Sequence, residues 1–134
     1  MHKAKNLSLL FVGLLGLFLT ACSNLGPDAP RPTLVFDEVC QKIIETSFQS
    51  SVTYPLGEGD NGVIFGPHII SFKADGSVYW RYSLEYVVGT FECNDGAITA
   101  HFSEGDKEAF EGSYIDATAL LEVDNVYFSK APSE

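Results

Sequence analysis

Apolar residues recur along this chain in three patterns. The first is continuous: Leu7 to Leu19 is a 13-residue run without a charge, with Gly13 and Gly16 inside it. The second is helical. In Phe36 to Phe48, FDEVCQKIIETSF, the residues Phe36, Val39, Cys40, Ile43 and Ile44 fall at i, i+3, i+4, i+7 and i+8, one stripe of a 3.6-residue period. That spacing predicts a helix, with Asp37 as its cap and Glu38 at the positive end of its dipole. The third pattern has period two and fills the rest of the chain.

Seven runs read as strands: His68–Lys73, Ser77–Tyr82, Tyr86–Cys93, Ala97–Phe102, Glu108–Ile115, Thr118–Val123 and Val126–Lys130, with Phe48–Tyr54 as an eighth. Turn residues separate them at Asp75-Gly76, Asn94-Asp95-Gly96, Glu104-Gly105-Asp106 and Asp124-Asn125, and Asp-Gly between β-rich runs signals a hairpin. Connections this short make neighbours antiparallel, since a parallel crossover needs a dozen residues or more. The expected fold is therefore mainly β, an antiparallel meander of seven or eight strands with one N-terminal helix packed on it. Closure into a small barrel is one arrangement; an open sheet or a sandwich carrying the helix is the other. Within the strands, Val78, Trp80 and Tyr82 share a face, as do Ile98, Ala100 and Phe102, and Phe110, Gly112 and Tyr114. One apolar and one mixed face per strand suits a small barrel with a solvated exterior. Barrels of about eight strands either fill with side chains or hold one small molecule, and a domain this short favours a mostly filled interior.

The continuous run has a different meaning. Lys3 and Lys5 precede it and small residues follow it, the layout of a secretory signal. It is too short for a spanning helix, which needs about 20 apolar residues. Its end, Leu19-Thr20-Ala21-Cys22, resembles the lipobox of bacterial lipoproteins. The resemblance implies cleavage between Ala21 and Cys22, a diacylglyceryl group on the Cys22 sulfur, and an acylated new amine. Two or more chains make such an anchor stable, at about 0.8 kcal/mol per buried CH₂. Ser23 in the next position implies sorting to the outer membrane, with the protein facing the periplasm. Residues 1–21 are then a lipoprotein signal peptide. Residues 22–35, with Pro27, Pro30 and Pro32, form a lipidated, extended tether reaching about 40 Å at most. Residues 36–130 form the β domain, and 131–134 a tail.

Removing residues 1–21 leaves 113 of 134 residues, one domain in length. It takes away Lys3 and Lys5 but no acid, so the formal charge passes from −10 to −12. Such a body repels phosphate backbones and anionic headgroups, which argues against nucleic-acid partners and leaves the acyl chains as the contact with the bilayer. With Cys22 used by lipid, Cys40 and Cys93 are an even pair in an oxidising compartment. They are expected to form a disulfide; two buried free thiols are the alternative. No Cys-x-x-Cys pair marks a redox role.

The stretch Phe72–Tyr127 resembles small bacterial lipocalin-like (calycin) domains. The residues concerned are F-K-A-D-G at Phe72–Gly76, G-T-F-E-C at Gly89–Cys93, A-I-T-A at Ala97–Ala100, E-G-S-Y at Glu111–Tyr114, and Val126-Tyr127. The resemblance implies a barrel that binds a small apolar ligand, and Trp80, Tyr82, Phe91, Phe102, Phe110 and Tyr114 are the candidate lining. An acidic protein-interaction module, an inhibitor or an envelope scaffold, is the second reading. No catalytic constellation is legible: Gly-x-Ser-x-Gly is absent, and Glu85, Glu92, Glu104, Glu108 and Glu111 alternate with apolar neighbours as a solvated face does. His68 and His101 have no short metal-ligand spacing, and no cofactor motif occurs. Tyr54–Gly62, with Gly57, Gly59, Gly62, Glu58, Asp60 and Asn61, reads as a mobile loop at a barrel mouth. It lacks the spaced acids of a calcium loop.

Overall fold

The computed structural model describes residues 33–133, so the signal, the Ala21–Cys22 junction and the tether up to Pro32 lie outside the described residues. The described chain contains one short helix, α1 (Glu38–Gln41), and eight strands. These are β1 (Thr46–Gly59), β2 (Gly62–Phe72), β3 (Ser77–Arg81), β4 (Tyr86–Asn94), β5 (Ala97–Phe102), β6 (Ala109–Ile115), β7 (Leu120–Val123) and β8 (Val126–Lys130). Each pairs antiparallel with the next, and β1 pairs with β8 through Phe48–Lys130, Gln49–Ser129 and Ser50–Phe128, closing the barrel. Strand alternation and turn chemistry carry this outcome. The hairpin turns Asp95-Gly96 and Asp124-Asn125 have φ of 49°, 82°, 51° and 63°, the left-handed pair that tight two-residue loops require. Gly89 lets β4 and β5 approach: a Cβ there would lie 2.1 Å from the His101 carbonyl oxygen.

Two expectations need correction. The helix expected over Phe36–Phe48 is a single turn. Glu45 takes φ 54°, which ends any helix, and from Thr46 the chain gains more by pairing with β2 and β8. The apolar stripe still faces the core, with Cys40 and Ile43 fully buried and Phe36 stacked on Phe91 at 5.6 Å. The loop expected over Tyr54–Gly62 is instead the upper part of a hairpin, since β1 runs to Gly59 and β2 starts at Gly62. Its glycines and Pro55 lower local strand propensity, but cross-strand pairing overrides them.

The N-terminal segment plugs one end of the barrel by reaching each of the three turns there. Asp37 Oδ1 accepts from the Cys40 N–H at 2.8 Å, capping α1, while its Oδ2 accepts from the Asp95 N–H of the β4–β5 turn at 2.7 Å. These bonds, Asp95 first, hold its carboxyl below the usual range. Lys42 meets Asp116 of the β6–β7 turn at 2.8 Å. Glu45 accepts from the Ala74 N–H of the β2–β3 turn at 2.9 Å and meets Lys73 at 3.2 Å. Exposed ion pairs contribute little; the covalent link does more. Cys40 and Cys93 are bonded, with Cα atoms 5.9 Å apart and 53 positions apart in sequence. In the chain-entropy model a loop of this length contributes about 4 kcal/mol, often less in practice. Replacing both cysteines by serine is expected to lower the unfolding free energy by about 2–4 kcal/mol in denaturant melts. Unchanged stability would show that the plug holds without its covalent link.

Candidate functional site

The six candidate lining aromatics all face inward, and they divide into two layers. In the upper layer Trp80 packs against Tyr82, Phe102 and Phe110 at ring-centroid distances of 5.1, 5.7 and 5.2 Å. In the lower layer Phe91 meets Phe72 at 4.9 Å and Tyr114 meets Phe48 at 6.0 Å. Trp80, Phe91, Phe102, Phe110 and Tyr114 are each under 9 % exposed. The rings the sequence offered as the walls of a cavity therefore contact one another. Three described depressions lie against the outer sheet surface, around Val88 and His101, around Ser47 and Tyr86, and around Glu111 and Glu122.

The unplugged end is built differently. Here β3 pairs with β2 only from Ile69 to Phe72, and β8 pairs with β1 only up to Ser50. Beyond those points β1 and β2 pair with each other alone, from Thr53–Pro67 to Gly59–Gly62. They form a two-stranded arm that extends past the rim. Ser50, 6 % exposed, serves the break in the ladder: its hydroxyl accepts from the His68 N–H at 3.0 Å and donates to the Val52 carbonyl at 2.6 Å. Tyr54 stacks on His68 at 4.1 Å at the root of the arm. Leu56 is buried, whereas Val63, Ile64 and Phe65 stand 50, 42 and 65 % exposed in succession.

Charge is unevenly placed around this end. Glu58 and Asp60 on the arm, Glu85 after β3, Glu104, Asp106 and Glu108 between β5 and β6, and Asp124 after β7 are all exposed. Against these seven acids stand Arg81, which ends β3 and donates to the Pro67 carbonyl at 3.4 Å, and Lys107, with its Nζ 3.7 Å from Asp124 and 5.6 Å from the centre of the Trp80 ring. The plugged end carries six exposed acids of its own, Asp37, Glu38, Glu45, Asp75, Asp95 and Asp116, but there Lys42 pairs with Asp116 and Lys73 with Glu45. The grouping of the seven acids at this end was readable by parity, since in an up-and-down meander alternate turns share an end, although Asp75, Asp95 and Asp116 put an acid on each of the other connections too.

The two histidines do not converge. His68 lies inside the rim, while His101 alternates with the inward Ala100 and Phe102 and is exposed. Among the described residues no group of three or more His, Cys, Asp or Glu gathers to hold a metal ion. Burial, aided by the charges of Lys107 and Arg81, lowers the His68 pKa from 6.5. The unfolded chain then binds the proton more readily than the folded one, so stability is full above pH 6.5 and falls as pH drops through the folded value. Denaturation midpoints measured from about pH 8 to 5 should show this decline, and His68→Phe should flatten it; an identical pH profile in the variant would contradict the assignment. No protein-family model, curated protein or solved structure shows a significant match to the chain, so the site rests on its residues and geometry.

Proposed function

We propose that the protein is an envelope lipoprotein, anchored through acyl chains on Cys22 and facing the periplasm from the outer membrane. Its barrel is a non-catalytic interaction module whose open end receives a basic partner protein. One observation carries this reading: seven exposed acids surround the open end, and its two cations are already engaged, Lys107 with Asp124 and Arg81 with the Pro67 carbonyl and the Tyr86 ring. The placement of the first described residues supports it. Leu34 lies against Gly76 in the β2–β3 turn, so the start of the described chain sits at the plugged end and leaves the acidic rim uncovered by it. A field of one sign speeds the encounter with an oppositely charged partner and makes it salt-dependent.

A second reading, the lipocalin-like one, keeps a small apolar ligand inside the barrel. It is favoured by the indole N–H of Trp80, which is buried and has no hydrogen-bond partner, because an acceptor on a ligand would satisfy it. The filled aromatic layers make this the weaker of the two.

Two measurements test the main reading. Cys22→Ser should move the protein from the membrane to the soluble fraction; retention on membranes would remove the anchor. Oligolysine, as a basic probe, should bind the chain at low salt and release as salt rises. Reversing Glu104, Asp106 and Glu108 to lysine should weaken it by about tenfold. Binding indifferent to both salt and reversal would overturn the open-end reading. A ligand held inside the barrel would show little response to either.

A further inference from the structure

We infer that the β1–β2 arm is the inserting element of the open end, and that its partner is a cationic polypeptide offering an apolar face between its basic groups. The inference rests on the open-end reading and adds the chemistry of the contact. Its basis is a conjunction at one place. Val63, Ile64 and Phe65 are exposed on a ribbon that pairs with no other strand beyond the rim, Val63 and Phe65 on one face and Ile64 on the other. Glu58 lies directly across from Val63 in the register, and Asp60 sits at the turn. The face formed by Val63 and Phe65, with Glu58 beside it and Asp60 at the turn, is complementary to apolar side chains edged by lysine or arginine.

Other occupants fit less well. An anionic bilayer would meet those carboxylates and the acidic ring behind them, which repels it. A second copy would bring two strongly acidic bodies together at ends that each expose seven acids. Strand addition along the edges of the arm is hindered by Pro55 and Pro67, which offer no N–H to a new ladder. Apolar insertion steered by charge remains. The arm is braced for it: a Cβ on Gly57 would lie 2.8 Å from Leu84 Cδ1, so the ribbon leans on the β3–β4 loop. Bending at its root is shaped by the Ser50 hydroxyl, which replaces the missing ladder partners of the His68 N–H and the Val52 carbonyl.

The test uses the full-length chain carrying Cys22→Ser and two labelled peptides of equal charge, an oligolysine and an amphipathic lysine–leucine peptide, read by fluorescence anisotropy. The amphipathic peptide should bind about tenfold tighter or better. The triple change Val63→Thr, Ile64→Thr and Phe65→Thr should erase that advantage while leaving oligolysine binding within about twofold. Threonine keeps β propensity, and Phe65→Thr alone should shift binding in the same direction by a smaller factor should the triple variant fold poorly. Val35→Thr, at a residue 93 % exposed away from the arm, should change nothing. If both peptides bind alike, or the advantage survives the triple change, the insertion of the arm is refuted while the acidic reading stands. If neither binds, the open-end reading fails as a whole. Arm-dependent binding to phosphatidylcholine vesicles, or an arm-dependent dimer in sedimentation equilibrium, would assign the arm to another occupant and overturn the inference.

Discussion

Three residue pairs between β1 and β8 decide what the rest of the chain can be. Phe48–Lys130, Gln49–Ser129 and Ser50–Phe128 turn an eight-strand meander into a closed ring. Closure abolishes the sheet edges that would otherwise template aggregation. It also fixes an interior so narrow that the inward face of each strand meets its neighbours' side chains. Phe48, Phe72, Phe128, Ile43, Ile70, Leu121 and Val78 are the largest residues with essentially no exposure. Closure also has a limit. The partners of β1 and β2 across the seam and at β3 run out after a few residues, and what remains of those two strands leaves the barrel as the arm.

The two ends then acquire different physics. At one, a short segment engages the three turns it reaches through Asp37, Lys42 and Glu45 and is tied to β4 by a disulfide. At the other, no segment among the described residues covers the rim, acids are exposed on each connection, and the arm exposes apolar side chains. This difference between the ends is the physical basis for proposing recognition at the open one. The aromatic rings that the sequence offered as a cavity lining pack on one another and contribute to stability. A buried ring truncated to alanine typically costs about 3–5 kcal/mol, so two packed layers are a large part of what holds a domain of this size.

The strands were legible because their information is local: β5 and β8 occupy the residues that alternation marks, Ala97–Phe102 and Val126–Lys130. Inward and outward faces followed from the same period, and Val78, Trp80, Ile98, Ala100, Phe110 and Tyr114 are all buried. The helix was over-read because Phe36, Val39, Cys40 and Ile43 meet the core in the same order whether they belong to a long helix or to a plug of one turn. The arm was illegible for the opposite reason: Gly57, Gly59, Gly62, Pro55 and Pro67 conceal a strand pair that exists only through its cross-strand partners. The split of Trp80 from Phe91 into separate layers depends on strand tilt, which leaves no trace in spacing.

The claim on which all this depends is closure, and residue-resolved amide hydrogen exchange tests it most directly. A closed barrel predicts slow exchange at the paired amides of the seam, Phe48–Ser50 and Phe128–Lys130, comparable with β4 and β5 and far slower than in the arm beyond Thr53. Fast exchange confined to both sides of the seam, with β2 to β7 still protected, would show an open sheet and contradict the account.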